Sequence, residues 1–279
     1  MRWLLYALTV TCAFGDSVAA PSYDTLYVFG DSYSDIGARF LDSDGPTAVA
    51  YLAQRMGIPI TYPEDPNSAA RSLDFAASGA ISGKEQGKIF KGHYWCCQGM
   101  VDQVEEFQRR VHSGSISFNP QTTLFLIAGG LNDSHLSTAT TIVNISRQIS
   151  LLQEVGAQHI TLALLPARIP AFTKVSERLN PAYRRLVSEL RVKLNIDLQL
   201  NHWGPYFDEV LLHPSLYGIV NTTSQCAGRA LFNEDPTPCG RPRAYYYFHE
   251  GHPSTAVHRI VGEKLYQEIQ SERLSRAPP

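Results

Sequence analysis

Residues 25–35 read TLYVFGDSYSD. Thr25–Phe29 is a run of apolar, β-branched and aromatic residues, the composition of a strand buried on both faces, and Gly30 ends it. The same kind of run recurs downstream. Thr123–Ala128 (TLFLIA) and His159–Leu165 (HITLALL) are further strands, closed by Gly129-Gly130 and by Pro166, and Asp208–Leu212 (DEVLL) is expected as the last. Between them, apolar residues take helical spacing. Val49, Leu52 and Met56 do so in Pro46–Met56, and Val101, Val104, Phe107 and Val111 in Met100–Val111. A long pattern covers Ser137–Val155, Leu186, Leu190 and Leu194 mark Asn180–Leu198, and Pro253–Ile269 reads as a closing helix. Strands and helices in alternation predict a parallel sheet covered on both faces, a three-layer α/β/α domain. Such sheets bind ligands beyond the carboxyl ends of their strands, so chemistry is sought in the residues just after each strand.

The 279 residues suffice for one domain of this kind, and no internal repeat or long linker interrupts them. Apolar residues make up 44%, enough to build a core. Lysine and arginine number 24 against 26 aspartate and glutamate, a net charge of −2 that excludes a general nucleic-acid binder, and no run of like charge exceeds a few residues, which excludes a polyanionic tail. Residues 1–20 place Arg2 before an apolar stretch too short to span a bilayer, then Ser17, Ala19 and Ala20. That is the layout of a secretory signal peptide. A secreted, monomeric single domain over residues 21–279 is expected, with no transmembrane segment. Cys12 leaves with the signal, and Cys96, Cys97, Cys226 and Cys239 enter an oxidising compartment. Cys226–Cys239 is favoured because it closes a short loop carrying Gly228, Pro236 and Pro238. Cys96 and Cys97 then pair with each other or stay reduced; both bridging to the 226–239 region is the other option. Sequons occur at Asn132, Asn144 and Asn221, and the last two are the expected glycan sites.

Three strand-end or helix-entrance positions carry chemistry. Ser32 follows the first strand, preceded by Gly30-Asp31, where a sharp turn exposes its hydroxyl beside backbone N–H groups. Asn132 follows Gly129-Gly130 at the end of TLFLIA and offers a neutral amide donor. His252 precedes Pro253, so it is extended at a helix entrance, where its ring can face a cleft. Together they supply a nucleophile, a general base and an oxyanion donor, the parts needed for acyl transfer.

The stretches VFGDSYSD, DFAASGA, GGLND and HEGHPS resemble blocks I, II, III and V of the GDSL, or SGNH, esterase/lipase family, in order and spacing, across about residues 24–265. Segments such as GPTAVAYLAQRMG and MVDQVEEF are similar to secreted fungal and plant members, fungal acetylesterases included. The resemblance implies a flavodoxin-like sheet of about five parallel strands. It also implies Ser32 as nucleophile and His252 as base. The backbone N–H groups of Ser32 and Gly79 with the Asn132 amide would form the oxyanion hole. No cofactor or metal is implied.

Block V departs from the family's usual Asp-x-x-His, because His249 stands where the acid belongs. A backbone carbonyl, His249 itself, the Glu250 side chain, or a distant acid such as Glu234 or Asp235 then has to orient His252. Block II carries Asp74 where the family often has Asn. HEGH is not the metalloprotease helix motif, because its histidines are three apart and Pro253 follows. The expected activity is hydrolysis of short acyl esters, such as acetyl esters of saccharides. The alternatives are a lipase, a deacetylase of a small metabolite, or a secreted binding protein on a silent scaffold. Asp31, Tyr33, Tyr94 and Trp95 are candidate substrate contacts, and Tyr245–Phe248 a further aromatic run.

Overall fold

The structure, a computed structural model, describes residues 23–275 apart from 39, 66–70, 86–87, 91–92 and 97, and the backbone alone for 88–90 and 93–96. The expected signal peptide and Cys97 lie outside the described residues, as do the side chains of Tyr94, Trp95 and Cys96.

The elements run β1 (Thr25–Gly30), α1 (Ala48–Met56), β2 (Ile60–Thr61), β3 (Ser72–Asp74), β4 (Lys88–Phe90), β5 (His93–Cys96), α2 (Met100–His112), β6 (Thr123–Ala128) and α3 (Thr138–Glu154). There follow β7 (His159–Ala163), α4 (Thr173–Leu194), β8 (Asp197–Asn201), α5 (Trp203–Leu212), β9 (Asn221–Gln225), β10 (Tyr245–His249), β11 (His252–Pro253) and α6 (Thr255–Leu274). The main sheet is parallel throughout, in the order β2-β3-β1-β6-β7-β8. Helix α6 packs against α1 and α5, and α3 against α2 and α4, giving a layer on each side.

The sheet has six strands rather than about five, and its last strand is not DEVLL. Residues 208–212 belong to α5, whose Trp203, Phe207 and Val210 fall at helical spacing and are fully buried. The last strand is β8, an edge strand in which Gln199 and Asn201 interrupt the apolar run. Helix α4 begins before Asn180, so Pro181 sits inside it instead of opening it. There the Asn180 side chain accepts from Leu165 N at 2.8 Å and donates to Leu165 O at 2.9 Å, tying the helix to the end of β7.

Beneath β1, Phe107 from α2 packs fully buried against Tyr27, Phe29 and Phe125, with ring centroids 4.7, 5.7 and 5.6 Å away. Burying a side chain of that size contributes about 1.5–3 kcal/mol. This packing fixes β1 at the centre of the sheet. The chain leaves β1 toward β3 on one side and β6 on the other, the switch point at which an open α/β sheet forms its crevice.

Candidate active site

The turn after β1 is built from within. Gln103 of α2 accepts from Gly30 N and donates to Gly30 O, both at 2.9 Å, standing in for a further strand. A Cβ on Gly30 would lie 2.5 Å from Ala128 O, so only glycine lets β1 and β6 end this close together. Asp31 lies fully buried under the turn and its Oδ1 accepts from Tyr33 N. Its backbone carbonyl accepts from Ser34 N and Asp35 N, a helical turn that carries Ser32 at the crevice. Burial pushes the Asp31 carboxyl up to about 7, against the N–H groups of Tyr33 and Leu131, and the Asp133 charge adds to the rise. Asp31 is therefore a support beneath the turn and not a substrate contact. The same correction applies to Tyr33. It is fully buried, and its hydroxyl donates to Gly251 O at 2.6 Å.

Two more turns meet this one. The Asp35 carboxylate accepts from Gly37 N, Ala38 N and Ser78 N, all at 2.9 Å, joining the Ser32 turn to the loop after β3. In that loop Gly79 has φ +82°, a left-handed conformation that favours glycine. After β6, Asn132 donates through Nδ2 to Ala80 O at 2.9 Å. Ser32, Gly79 and Asn132 thus follow three neighbouring strands. Asp74, the block II departure, is buried and accepts from Ala76 N at 2.8 Å. Burial, with the Asp35 charge, pushes its carboxyl well above the usual range. Burial thus disfavours the charge of the acid that stands where the family often has asparagine.

His252 arrives from outside the main sheet. Strands β9, β10 and β11 form a small sheet in which His252 pairs with His249. The disulfide Cys226–Cys239, as expected, closes the loop after β9, and Cys226 N and Ala227 N bond to Phe248 O. The ring's Nε2 lies 2.8 Å from Ser32 Oγ and its Nδ1 2.9 Å from Glu250 O. A carbonyl only accepts, so Nδ1 carries the hydrogen and Nε2 presents its lone pair to the serine hydroxyl. A backbone carbonyl therefore orients the ring. The Glu250 side chain is exposed and takes no such part. Glu234 and Asp235 brace their own loop, accepting from Arg229 N and Thr237 N.

His249 does not orient His252 either. Its Nδ1 lies 3.2 Å from Oδ1 of Asp42, a carboxylate that sequence reasoning missed. Asp42 is 3% exposed, and its Oδ2 accepts from Ser78 Oγ at 2.9 Å and sits 3.7 Å from His252 Nε2. Arg229 Nε lies 3.7 Å from Asp42 Oδ1, and the same guanidinium donates to Glu250 O at 3.1 Å. Burial alone would raise the Asp42 pKa. The charge of His252, the bond from His249, Arg229 and Ser78 outweigh it and hold the carboxyl below its usual range. Burial dominates at His252 and lowers its pKa, opposed by Asp42 and the Glu250 carbonyl, and aided by Arg229 and His249.

The sequons also separate. Asn144 Nδ2, the atom that would carry a sugar, donates to Ser82 Oγ at 3.0 Å, and a Cβ on Gly83 would meet it at 3.0 Å. Asn144 is therefore a poor glycan site. At Asn221 the backbone of Thr223 and Ser224 uses Oδ1, which is compatible with a glycan on Nδ2.

The family model of the GDSL-like lipase/acylhydrolases matches residues 26–265. The chain belongs to that family. It is a hydrolase of ester bonds. The signature letters fall on Gly30, Asp31 and Ser32, with Tyr33 in place of leucine, and the Tyr33 hydroxyl supplies the bond to Gly251 described above. No curated protein matches the chain. Similar solved structures include a lipolytic protein of the G-D-S-L family from Veillonella parvula DSM 2008, 12% identical over 87% of this chain and 96% of that one, TM-score 0.49. The psychrotrophic esterase EstA from Pseudoalteromonas sp. is 11% identical over 89% and 98%, TM-score 0.48. LAE5, described as an alpha/beta hydrolase enzyme from the metagenome of Lake Arreo, Spain, is 13% identical over 92% and 99%, TM-score 0.47.

Proposed function

We propose that this GDSL-family chain is a secreted serine esterase that cleaves short acyl esters, acetyl esters of saccharides among them, through an acyl-enzyme on Ser32. The observation that carries the reading is the 2.8 Å contact of Ser32 Oγ with His252 Nε2, on a ring whose Nδ1–H is already committed to Glu250 O. Secretion rests on the reading of residues 1–20, and the acyl preference on the resemblance to fungal acetylesterases.

In the first half-reaction Ser32 Oγ attacks the ester carbonyl as its proton passes to His252 Nε2. The carbonyl oxygen becomes an oxyanion, received by the N–H groups of Ser32 and Gly79 and by Asn132. A side-chain amide has two N–H donors, so the bond to Ala80 leaves one for the oxyanion. Being neutral, that donor binds the charge without drawing on the base. The alcohol leaves with the proton from Nε2. Water then gives a proton to Nε2, attacks the acyl-serine and releases the acid, and Ser32 regains its hydrogen.

The test is hydrolysis of p-nitrophenyl acetate, butyrate and palmitate by the purified protein beside Ser32→Ala, with a fluorophosphonate probe on both. Activity and labelling that vanish in the variant support the reading, and the chain-length profile separates an acetylesterase from a lipase. Hydrolysis that survives in the variant would end it.

A further inference from the structure

This inference rests on the serine-esterase reading. We propose that Asp42 is the positioning carboxylate of this site, balancing the charge of His252 from the Nε2 side, and that His249 occupies the usual acid position in order to hold Asp42.

Four observations lead there. Asp42 is buried, and an ion is buried at a cost unless it is paired. Its pairing is directed, with His249 on Oδ1 and Ser78 on Oδ2, which leaves Oδ2 3.7 Å from His252 Nε2. That distance is too long for a hydrogen bond, so the resting carboxylate does not compete with Ser32 for the ring. Its charge is felt once Nε2 takes up the serine proton, so it favours the transition state over the resting state. Third, the backbone carbonyl at Nδ1 sets the tautomer but carries no net charge, so a separate anion has a role to fill. Fourth, Arg229 touches both partners, donating to Glu250 O and lying 3.7 Å from Asp42. It tempers the anion and adds to the burial that lowers the ring's pKa.

The titratable and charged groups facing His252 are Asp42 from the loop before α1, Arg229 from the disulfide loop, His249 from β10, His258 from α6 and the Tyr33 phenol. Two of them pull in opposite directions, which gives the test its sign. Without Asp42 the ring is harder to protonate. Without Arg229 it is easier.

The experiment measures kcat and kcat/KM on p-nitrophenyl acetate from pH 4 to 9 for the wild type, Asp42→Asn, Arg229→Gln and Asp42→Asn/His249→Asp, with Ser32→Ala as control and a thermal melt for each. Asp42→Asn is expected to lower kcat by about 10–100-fold, taking as guide the loss when an outer-shell partner of a metal-binding side chain is removed. Its acid limb in kcat/KM moves to lower pH by about one unit. Arg229→Gln moves the limb to higher pH. The double variant returns a carboxylate to the position three before His252, and part of kcat returns with it. An acid limb unmoved in a folded Asp42→Asn, or moved the same way by both single variants, overturns the proposal. If Asp42→Asn does not fold, an unmoved limb in Arg229→Gln overturns it. Activity that persists in Ser32→Ala defeats the underlying reading instead, so the two failures are distinguishable.

Discussion

The two halves of the site are held by different means. The Ser32 half is made of three short turns at the ends of β1, β3 and β6, locked by backbone bonds and by carboxyls under or beside the chain, Asp31, Asp35 and Asp74. The sheet itself sets the spacing of those turns. The His252 half stands outside the main sheet. It depends on a small sheet, one disulfide and the Asp42–Arg229 pair, and it meets Ser32 across 220 residues of sequence. The Ser32 turn is thus fixed by the architecture of the sheet, whereas His252 has to be brought to it by contacts particular to this chain.

That contrast can be broken by variants on each side. The largest effect is expected from Ser32→Ala, which should lower kcat by roughly 10⁴–10⁶-fold with the melting temperature little changed. A residual rate near that of the wild type would remove the nucleophile half. Asn132→Ala comes next, with a loss of roughly 10²–10³-fold, read as kcat with KM nearly unchanged, the usual result for one oxyanion donor. The third prediction concerns stability. The Asp31 carboxyl stays protonated in the fold up to about pH 7, whereas in the unfolded chain it ionises near 3.8. The unfolded state therefore binds fewer protons in that window, and stability falls as pH rises through it. Asp31→Asn should be the more stable protein at pH 8 relative to pH 4, by roughly 2–4 kcal/mol in chemical denaturation. Equal differences at the two pH values would mean the carboxyl is not held neutral.

The last prediction tests the other half. Replacing both Cys226 and Cys239 with serine should cost roughly 2–3 kcal/mol for a loop of this length. It should also lower kcat in the fraction that remains folded, because the loop supplies Arg229 and is bonded to the strand before His249. A fully retained kcat would show that the base half is as self-supporting as the nucleophile half.

What could be read from the sequence follows the same division. The central strands and most helices were legible because their apolar periodicity is strong. Ser32 and Asn132 were legible because each follows a recognisable strand within a few residues, and Gly79 only through the resemblance of DFAASGA to the family's block II. The main-sheet strands that escaped, β2, β3 and β8, are two- or three-residue pieces or an edge with polar alternates, where periodicity is too short or too mixed to register, and the strands of the two small sheets escaped as well. DEVLL looked like a strand because five residues cannot show that Trp203 and Phe207 extend the pattern upstream as a helix. Asp42 gave no signal at all. It lies in an ordinary turn sequence, LDSDG, and its partners stand 36 residues away at Ser78 and 207 away at His249. The missing acid at 249 was visible, but its replacement was a matter of tertiary packing.

Helix α1 lies against α6, close enough that a Cβ on Gly262 would meet Ala48 O at 2.6 Å, and His258 Nδ1 accepts from Ala48 N at the start of α1. Segments 210 residues apart in sequence therefore clasp each other close to Ser32, whose neighbour Tyr33 lies edge-on to the His258 ring. A ribosome delivers Ser32 220 residues before His252, and domains generally acquire their structure as units. A nascent chain that has not yet reached residue 252 holds Ser32 without the ring that meets it, so on the proposed reading the serine is silent until that segment is made and α6 has docked against α1.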